Sequence, residues 1–236
     1  MAPSAAESAE ARVLIAGAGI GGLALALALK KHCGLAGSEI EVYEQAPAFG
    51  DGVGGGMGLY ANGLRVLRDI DPELLATVRS YGYDYLFRRW QRHDGTEVAC
   101  ASEEELCSEP DLQSLGIRRW KLQKALCDAS AAAGIKIRFG MRTETVTPRE
   151  DGADGLLVVF ADGSKRNARV VFGADGLKSK VRDDECSEGV VLYIYIYIYI
   201  YIVANALILD SASIISFVLF RCARRWWAQC PRTSQA

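Results

Sequence analysis

The residues most suited to chemistry are glycines that follow a short apolar segment near the start of the chain. Residues 12–16 (RVLIA) lead directly into Gly17, Gly19 and Gly22, which form a G-x-G-x-x-G pattern before the Leu- and Ala-rich residues 23–31. In this pattern the first glycine makes a tight turn, the second lets backbone approach a diphosphate, and the third permits close helix–strand packing. The free N–H groups of the helix N-terminus favour an anion. The pattern predicts a dinucleotide-binding strand, turn and helix.

A carboxylate follows at the spacing that such a site requires. Residues 40–43 read as a second strand, which ends at Glu44, 22 residues after Gly22. Glu44 can accept hydrogen bonds from both hydroxyls of a ribose and would repel the 2′-phosphate of NADP. Because FAD and NAD share an ADP half, these residues leave the choice between the two cofactors open.

A glycine-dense loop supplies a second candidate contact with a cofactor. Residues 50–62 (GDGVGGGMGLYAN) include Gly54 and Gly56 and run into a predicted helix at residues 63–70. Backbone without side chains can press against a flat ring system or a diphosphate. A flexible surface loop is the alternative interpretation of the same residues.

Two more motifs place polar side chains at the ends of predicted elements. Arg119 begins an R-x-x-L-x-x-x-L helix whose leucines share one face, so it can contact a cofactor phosphate or ring edge, or remain solvated. Residues 168–174 read as an apolar strand that ends in Asp175 and Gly176. Ligands of open α/β sheets bind outside the carboxyl ends of the strands, which favours a ligand at Asp175.

The composition excludes several classes of function. The 236 residues are 50% hydrophobic and 24% charged, which is typical of a globular protein, and the net charge of −2 gives no basic field for nucleic acid. The seven cysteines include no C-x-x-C pair, so neither a disulfide framework nor a metal site is predicted. Residues 1–11 lack the basic and apolar regions of a secretory signal and read as an N-terminal arm. These features favour a cytoplasmic protein.

The chain changes character near residue 189. All 24 glycines lie at or before Gly189, and residues 193–202 are five consecutive Tyr-Ile pairs. An alternating TA dinucleotide tract would encode this repeat, so we interpret the repeat as a translated microsatellite and the chain after about Ser187 as a segment other than the tail with which the fold evolved. The charge-free residues 190–209 and the arginines and tryptophans that follow support a rival interpretation, a membrane segment within residues 190–220. Sequencing cDNA across the junction separates the two interpretations.

Together the motifs of residues 12–183 resemble those of a known family. The chain is similar to the single-component FAD-dependent aromatic hydroxylases typified by p-hydroxybenzoate hydroxylase and salicylate hydroxylase. The resemblance rests on the following motifs in this order: Gly17 to Gly22, Glu44 in VYEQAP, Gly54 to Gly58 before Asn62, Arg119-x-x-Leu122, and Gly173-Ala-Asp-Gly176 with Ser179 and Arg182. No motif specifies the substrate.

The resemblance implies a cofactor and roles for individual residues. Glu44 would bind the FAD ribose, Arg119 would contact the FAD, and the turn at Asp175 and Gly176 would serve both FAD and NAD(P)H. The implied function is hydroxylation of a small aromatic or phenolic molecule with NAD(P)H and O2, and no side chain is assigned as catalytic. A flavin- or NAD-dependent dehydrogenase is the alternative enzyme class.

The chain also departs from the family. The family has a later Gly-Asp motif that binds the FAD, whereas the only Gly-Asp pair here is Gly50-Asp51. Residues 80–100 resemble a remnant of the substrate domain, and His93 before Asp94-Gly95 reads as a hairpin-turn residue rather than a catalytic one. A non-catalytic, truncated product is therefore a further alternative.

These observations predict one fold with four segments. The fold class is α/β, with a Rossmann-like FAD-binding domain and a rudimentary, incomplete β substrate domain. Residues 12–79 and 101–183 would form the FAD-binding domain, 80–100 the substrate-domain remnant, 1–11 the arm and 184–236 an atypical hydrophobic tail. Residues 156–160 and 166–172 flank Asp162-Gly163, which predicts an antiparallel hairpin beside the parallel strands.

Overall fold

A computed structural model describes residues 11–183, except positions 53, 150, 152 and 178, together with residues 191–193. Its strands are β1 Ala11–Ala16, β2 Ile40–Tyr43, β3 Gly56–Leu59, β4 Tyr83–Asp84, β5 Phe87–Gln91, β6 Glu97–Ser102, β7 Leu115–Arg118, β8 Lys136–Arg138, β9 Thr143–Pro148, β10 Leu156–Phe160, β11 Lys165–Gly173 and β12 Val191–Tyr193. Its α-helices are α1 Ile20–Cys33, α2 Ala61–Ile70, α3 Pro72–Tyr81, α4 Glu103–Leu106, α5 Arg119–Ala132 and α6 Lys180–Asp183. Single 3-10 turns cover Gly37–Glu39 and Pro110–Leu112.

The main sheet is built around the first strand. Its order is β8-β2-β1-β11-β10-β9, and β12 also pairs with β11. β1 is parallel to both β2 and β11, and Ala16 is level with Tyr43 on one side and Gly173 on the other. The predicted α/β class, with residues 13–16 in a parallel sheet, is confirmed.

The strand–turn–helix unit forms where its composition predicts. β1 is buried along nearly its whole length, as expected for a central parallel strand with both faces covered. α1 ends at Gly34, whose φ of 64° is the left-handed conformation typical of a helix C-cap. The predicted strand at residues 40–43 matches β2, and the predicted helix at residues 63–70 is α2, which begins at Ala61.

An antiparallel meander, β9 to β11, continues the main sheet beyond β1. β10 pairs with both β9 and β11, and the predicted hairpin around Asp162 and Gly163 is confirmed. Val158 and Phe160 of this meander join a buried cluster with Leu14 of β1. The ring of Tyr43 stacks on that of Phe160 with their centroids 4.5 Å apart. These contacts cover the β1–β2 face with apolar side chains.

A buried ion pair ties the meander to the second strand. The guanidinium of Arg166 donates from Nη2 to Glu41 Oε1 at 2.8 Å and from Nε to Glu41 Oε2 at 3.1 Å. The hydroxyl of Tyr43 also donates to Glu41 Oε2, at 2.6 Å. The Glu41 side chain is only 2% exposed, so its charge depends on these donors.

Replacing Arg166 with methionine is expected to destabilise the protein by about 3 kcal/mol or more, because the substitution leaves the buried Glu41 carboxylate without its counter-charge. The free energy of unfolding, measured by urea denaturation, checks this. The matched control is Arg142→Met, which removes a pair with Glu144 whose side chains are 55% and 37% exposed. Arg142→Met should lower the free energy of unfolding by less than about 1 kcal/mol. If both variants lost the same free energy of unfolding, burial of the Glu41 carboxylate would not be the cause of the loss.

The same pair predicts a pH dependence of stability. Burial raises the pKa of Glu41, but hydrogen bonds from Arg166 and Tyr43 and the nearby charge of Arg166 outweigh this effect and hold the pKa below its usual range. A carboxyl with a depressed folded pKa stabilises the fold above its unfolded pKa, and that stability is lost as the pH falls through the folded value. The wild type should therefore lose more stability than Glu41→Gln on acidification below about pH 5.

Two smaller sheets lie beside the main one. β3, β7 and β4 form an antiparallel three-stranded sheet, and β5 and β6 form a separate hairpin. His93 lies in the hairpin turn, where Arg92 N donates to Thr96 O, as predicted. The buried carboxylate of Glu103, which directly follows β6, accepts from the guanidinium of Arg88 and from Ser114 N, so it links the hairpin to the segment before β7. Most of this hairpin lies within residues 80–100, for which the sequence predicts a remnant of the substrate domain.

Several predictions fall on residues outside this description. The proposed membrane segment at residues 190–220 and the Tyr-Ile repeat lie outside the described residues, except for the short strand β12. Residues 1–10 of the predicted N-terminal arm lie outside them as well, and Ala11 begins β1. Within the described ranges, no helix combines the length and apolarity needed to cross a membrane.

Candidate functional site

The carboxyl ends of three parallel strands meet at the glycine turn. Gly17 N donates to Tyr43 O at 2.7 Å, and Ala174 N donates to Ala16 O at 2.7 Å. The chain leaving β1 therefore lies between the chain leaving β2 and the chain leaving β11. This edge is the crevice in which open α/β sheets bind ligands.

Two of the three predicted glycines are required by close backbone contacts. Gly17 has a φ of 104°, and a Cβ there would lie 2.3 Å from Ala174 O. A Cβ on Gly22 would lie 1.9 Å from Gly17 O. Both distances are far below van der Waals contact, so only glycine allows α1 and the end of β11 to pack on this turn.

The remaining glycine faces open space. Gly19 is the N-cap of α1, and nothing lies within 4 Å of the position of a Cβ on it. No side chain caps the helix, and its first turn contains no acidic residue. Backbone N–H groups at an uncapped helix N-terminus attract an anion, and the space beside Gly19 lets a diphosphate approach them. The turn therefore fits the diphosphate of a dinucleotide cofactor.

Glu44 lies directly against this turn. Its Oε2 accepts from Ala18 N at 2.9 Å, and its Oε1 accepts from Ala46 N at 2.9 Å. These two bonds fix the carboxylate at the end of β2. Each carboxylate oxygen has a second lone pair, so Glu44 can still accept hydrogen bonds from the two hydroxyls of a ribose.

The second glycine loop and Arg119 also lie together. Arg119 N donates to Gly55 O at 3.0 Å, and the Cβ of Arg119 lies 3.6 Å from the position of a Cβ on Gly54. Gly54 has a φ of 95°, a conformation that favours glycine. Gly56 begins β3 and pairs with Arg118. Arg119 is exposed at the start of α5, where its guanidinium can contact an anion.

Asp175 has a structural task that the sequence analysis did not anticipate. Its Oδ1 accepts from Ser179 Oγ at 2.6 Å, and its Oδ2 accepts from Lys180 N at 2.8 Å and from Val181 N at 3.4 Å. The carboxylate thus satisfies free N–H groups at the start of α6. Gly176 follows with a φ of 86° and is exposed. Asp175 shapes the turn against Gly17, and Gly176 lets the backbone bend there.

The half-buried Gln123 was not identified by the sequence analysis. Gln123 Nε2 donates to Ala18 O at 3.0 Å and so joins α5 to the glycine turn. Gln123 is one helical turn after Arg119, which holds the Gly54 loop through its backbone. The structure thereby connects the two glycine-rich segments through α5. The i, i+4 spacing from Arg119 places Gln123 on the same helix face, but a glutamine at that position is too common to indicate a contact.

A pocket of about 380 Å³ opens beside the Gly54 loop. Its walls include Tyr81, Tyr83, Tyr85, Arg118 and Lys121. These side chains combine aromatic surface with positive charge. The sequence analysis did not identify this group, because its members come from the end of α3, from β4 and the residue that follows it, and from the β7–α5 junction.

The glycines of β3 and β7 make room for one of these tyrosines. A Cβ on Gly58 would lie 3.1 Å from Tyr85 Oη, and a Cβ on Gly116 would lie 3.1 Å from Tyr85 Cε1. Gly58 and Gly116 are level with each other in the sheet. The ring of Tyr85 therefore lies across a surface without side chains.

Comparison with known proteins agrees with this geometry. Residues 10–188 match the family model described as FAD binding domain. The chain is 32% identical over 174 residues to an aurachin C monooxygenase/isomerase of Stigmatella aurantiaca, covering 72% of this chain and 41% of that protein. It is 33% identical to a 6-hydroxynicotinate 3-monooxygenase of Bordetella bronchiseptica, covering 73% and 42% respectively. The chain thus spans about two fifths of the length of these relatives.

Solved structures give the same result. The tetrameric form of 2-methyl-3-hydroxypyridine-5-carboxylic acid oxygenase matches with a TM-score of 0.58 and 26% identity, covering 74% of this chain and 42% of that one. A monooxygenase-like FAD protein of Photorhabdus luminescens matches with a TM-score of 0.56 and 29% identity, covering 72% and 41%. The chain belongs to the family of FAD-dependent aromatic monooxygenases, and it carries that family's FAD-binding domain.

Proposed function

We propose that this chain binds FAD and that the function it serves is hydroxylation of a small aromatic molecule with NAD(P)H and O2. The observation that carries the proposal is the meeting of the Gly17 turn, Glu44 and the turn at Asp175 at the carboxyl ends of the parallel strands. The relatives named above are monooxygenases or an oxygenase, which favours this class over a dehydrogenase.

Each part of the site has a distinct task in binding the cofactor. Glu44 accepts the ribose hydroxyls, and the Gly19 backbone with the N-terminus of α1 holds the diphosphate. Arg119 offsets negative charge on the phosphates or binds the edge of the ring system. The turn at Asp175 and Gly176 contacts FAD and is also the place where NAD(P)H approaches.

The pocket beside Gly56 suits an aromatic substrate that carries a negative charge. Its acid, Asp84, is already paired with Arg79, whereas Arg118 and Lys121, whose ammonium lies over the ring of Tyr81, can bind an anion. Tyrosine side chains offer flat surfaces against which an aromatic ring can stack. FAD supplies the redox chemistry with dioxygen when it is bound and reduced. The side chains of the pocket orient the substrate and exclude water from one side.

We further propose the division of the chain given by its sequence. Residues 12–79 and 101–183 form the FAD-binding domain, and residues 80–100 form the part of the substrate domain that is present. The contacts of Arg88 support this division, because they join the hairpin to Glu103 and Ser114, which lie in the segment assigned to the FAD-binding domain. The first residues, 1–11, and the last, 184–236, are assigned no part in the site.

Purification and titration of the chain test cofactor binding. We expect residues 1–236 to leave purification colourless, because Tyr83 at the edge of the pocket is 82% exposed and a flavin ring beside it would lie open to water. FAD added back should still bind, and ADP should bind with an affinity within about tenfold of that of FAD, since the described contacts suit the ADP half. Equilibrium dialysis measures both. A chain that folds but binds neither ligand contradicts the proposal.

Oxygen uptake tests the class of reaction. The chain is saturated with FAD and given NAD(P)H and a phenolic acid, and NAD(P)H oxidation is recorded together with dissolved oxygen. Oxidation that consumes oxygen and converts the phenolic acid to a product with one more oxygen atom supports a monooxygenase. NAD(P)H oxidation that stops once the bound FAD is reduced, and that leaves the dissolved oxygen unchanged, supports a dehydrogenase, which passes its electrons to another acceptor. No oxidation at all supports the non-catalytic alternative.

A further inference from the structure

The backbone of Ala18 is held from both sides by side chains of other elements. Its N–H donates to Glu44 Oε2 at 2.9 Å, and its carbonyl oxygen accepts from Gln123 Nε2 at 3.0 Å. Ala18 itself is fully buried. Glu44 follows β2 and Gln123 lies on α5, so two elements remote in sequence clamp the middle residue of the glycine turn.

The hydrogen bond from Gln123 to Ala18 determines the direction in which the N–H of Gly19 points. In a trans peptide unit, the carbonyl of one residue and the N–H of the next point in opposite directions. Gln123 holds the Ala18 carbonyl towards α5, so the N–H of Gly19 points away from α5. Gly19 is the N-cap of α1 and has open space beside it. This N–H is therefore a donor available to an anion at the start of the helix.

The position of Gln123 on α5 is itself well defined. Its neighbour Leu122 and the residue one turn later, Leu126, are buried, and α5 packs against α1. Gln123 is half-buried, so water competes weakly with its hydrogen bond to Ala18. Its amide is the contact that ties α5 to the Gly17 turn.

We propose that Gln123 is a positioning residue for the diphosphate of the cofactor. It acts through Ala18, by keeping the Gly19 N–H directed towards the position of the phosphates. The inference rests on the proposed function, because it requires that the turn bind a dinucleotide. It goes further by assigning a role to a residue outside the G-x-G-x-x-G pattern.

The first test compares three ligands in one variant. Gln123→Leu keeps the size of the side chain but cannot donate, so the Ala18–Gly19 peptide is free to rotate. We expect the Kd of FAD and of ADP to rise by about tenfold, as for the loss of an oriented donor to a charged group. The Kd of adenosine, which has no phosphate, should stay within about twofold. Equilibrium dialysis measures all three.

The matched control is another glutamine whose amide donates to a backbone carbonyl. Gln113 Nε2 donates to Cys107 O at 3.4 Å, in a segment separate from the glycine turn. Gln113→Leu should bind FAD, ADP and adenosine like the wild type. A loss of ADP binding in Gln113→Leu as large as in Gln123→Leu would overturn the proposal.

A second variant keeps the inference testable if Gln123→Leu fails to fold. In Gln123→Glu the side chain cannot donate while ionised, but it donates again when protonated. The ratio of its ADP Kd to that of the wild type should therefore fall by about threefold or more between pH 8 and pH 5. A ratio that does not change with pH overturns the inference.

The outcomes separate this inference from the proposed function. If the wild type binds FAD and Gln123→Leu binds it equally well, the role of Gln123 is wrong and the proposed function stands. If Gln123→Leu weakens the binding of adenosine as much as that of ADP, the residue stabilises the fold and does not position a donor to the diphosphate. That result also overturns the inference. A wild type that binds neither FAD nor ADP overturns the proposed function together with the inference.

Discussion

Replacing Gly22 with alanine is expected to destabilise the protein by more than about 4 kcal/mol, a loss that exceeds ordinary core substitutions. The added Cβ would lie 1.9 Å from Gly17 O and 3.3 Å from the Cβ of Ala174. Because Gly17 O is backbone, relief requires α1 to move away from β1, which breaks the packing of the central strand. We expect the variant to be largely unfolded at 25 °C, as judged by circular dichroism and urea denaturation.

Gly19→Ala is the matched control in the same pattern. A Cβ on Gly19 meets nothing within 4 Å, and its φ of −65° suits alanine. The variant should therefore keep a free energy of unfolding within about 1 kcal/mol of the wild type. It should nevertheless bind FAD and ADP about tenfold more weakly, because the methyl group occupies the approach to the diphosphate. Similar stability of the Gly22 and Gly19 variants would contradict the packing argument.

Replacing Glu44 with glutamine is expected to raise the Kd of FAD and ADP by about 100-fold. The substitution keeps the shape of the side chain but removes the charge, and it offers an NH2 group where Ala18 N or Ala46 N now finds an acceptor. It also weakens two hydrogen bonds from the ribose, and bonds to a charged group each contribute about 1.5–3 kcal/mol. Isothermal titration calorimetry measures the change in Kd.

A modified ligand shows whether the loss arises at the ribose. ADP without its ribose 2′ and 3′ hydroxyls should bind the wild type much more weakly than ADP does, whereas Glu44→Gln should distinguish poorly between the two. The control is Glu39→Gln at the opposite end of β2, where the carboxylate bonds Ala36 N and Arg12 instead. This control should bind ADP like the wild type. An undiminished preference for ADP in the Glu44 variant would rule out the ribose contact.

Much of the local structure could be predicted from the sequence, because it depends on short-range patterns. The glycine spacing after residues 12–16 predicted the turn between β1 and α1. The mostly apolar residues 40–43, which precede Glu44, predicted β2. The dipeptide Asp162-Gly163 predicted the hairpin between β10 and β11. In each case, neighbouring residues determine the backbone conformation, so the prediction needs no distant contact.

The family could also be recognised before the fold was known. The motifs that carry the resemblance occur in a fixed order along the chain, and order is a property of the sequence alone. Their residues lie at the ends of strands or helices, where a ligand is accessible. The nature of the chain after residue 187 stays a prediction, because it falls almost wholly outside the described residues.

Only the tertiary structure decided which side chains hold the site together. Gln123 reaches Ala18 across a separation of 105 residues, and Arg166 reaches Glu41 across 125. The position of Asp175 at the end of a strand predicted a ligand contact. The structure shows that its carboxylate also caps α6. Local patterns determine turns and amphipathic faces, but a hydrogen bond between remote residues depends on how the packed elements are oriented, and no short segment of sequence contains that information.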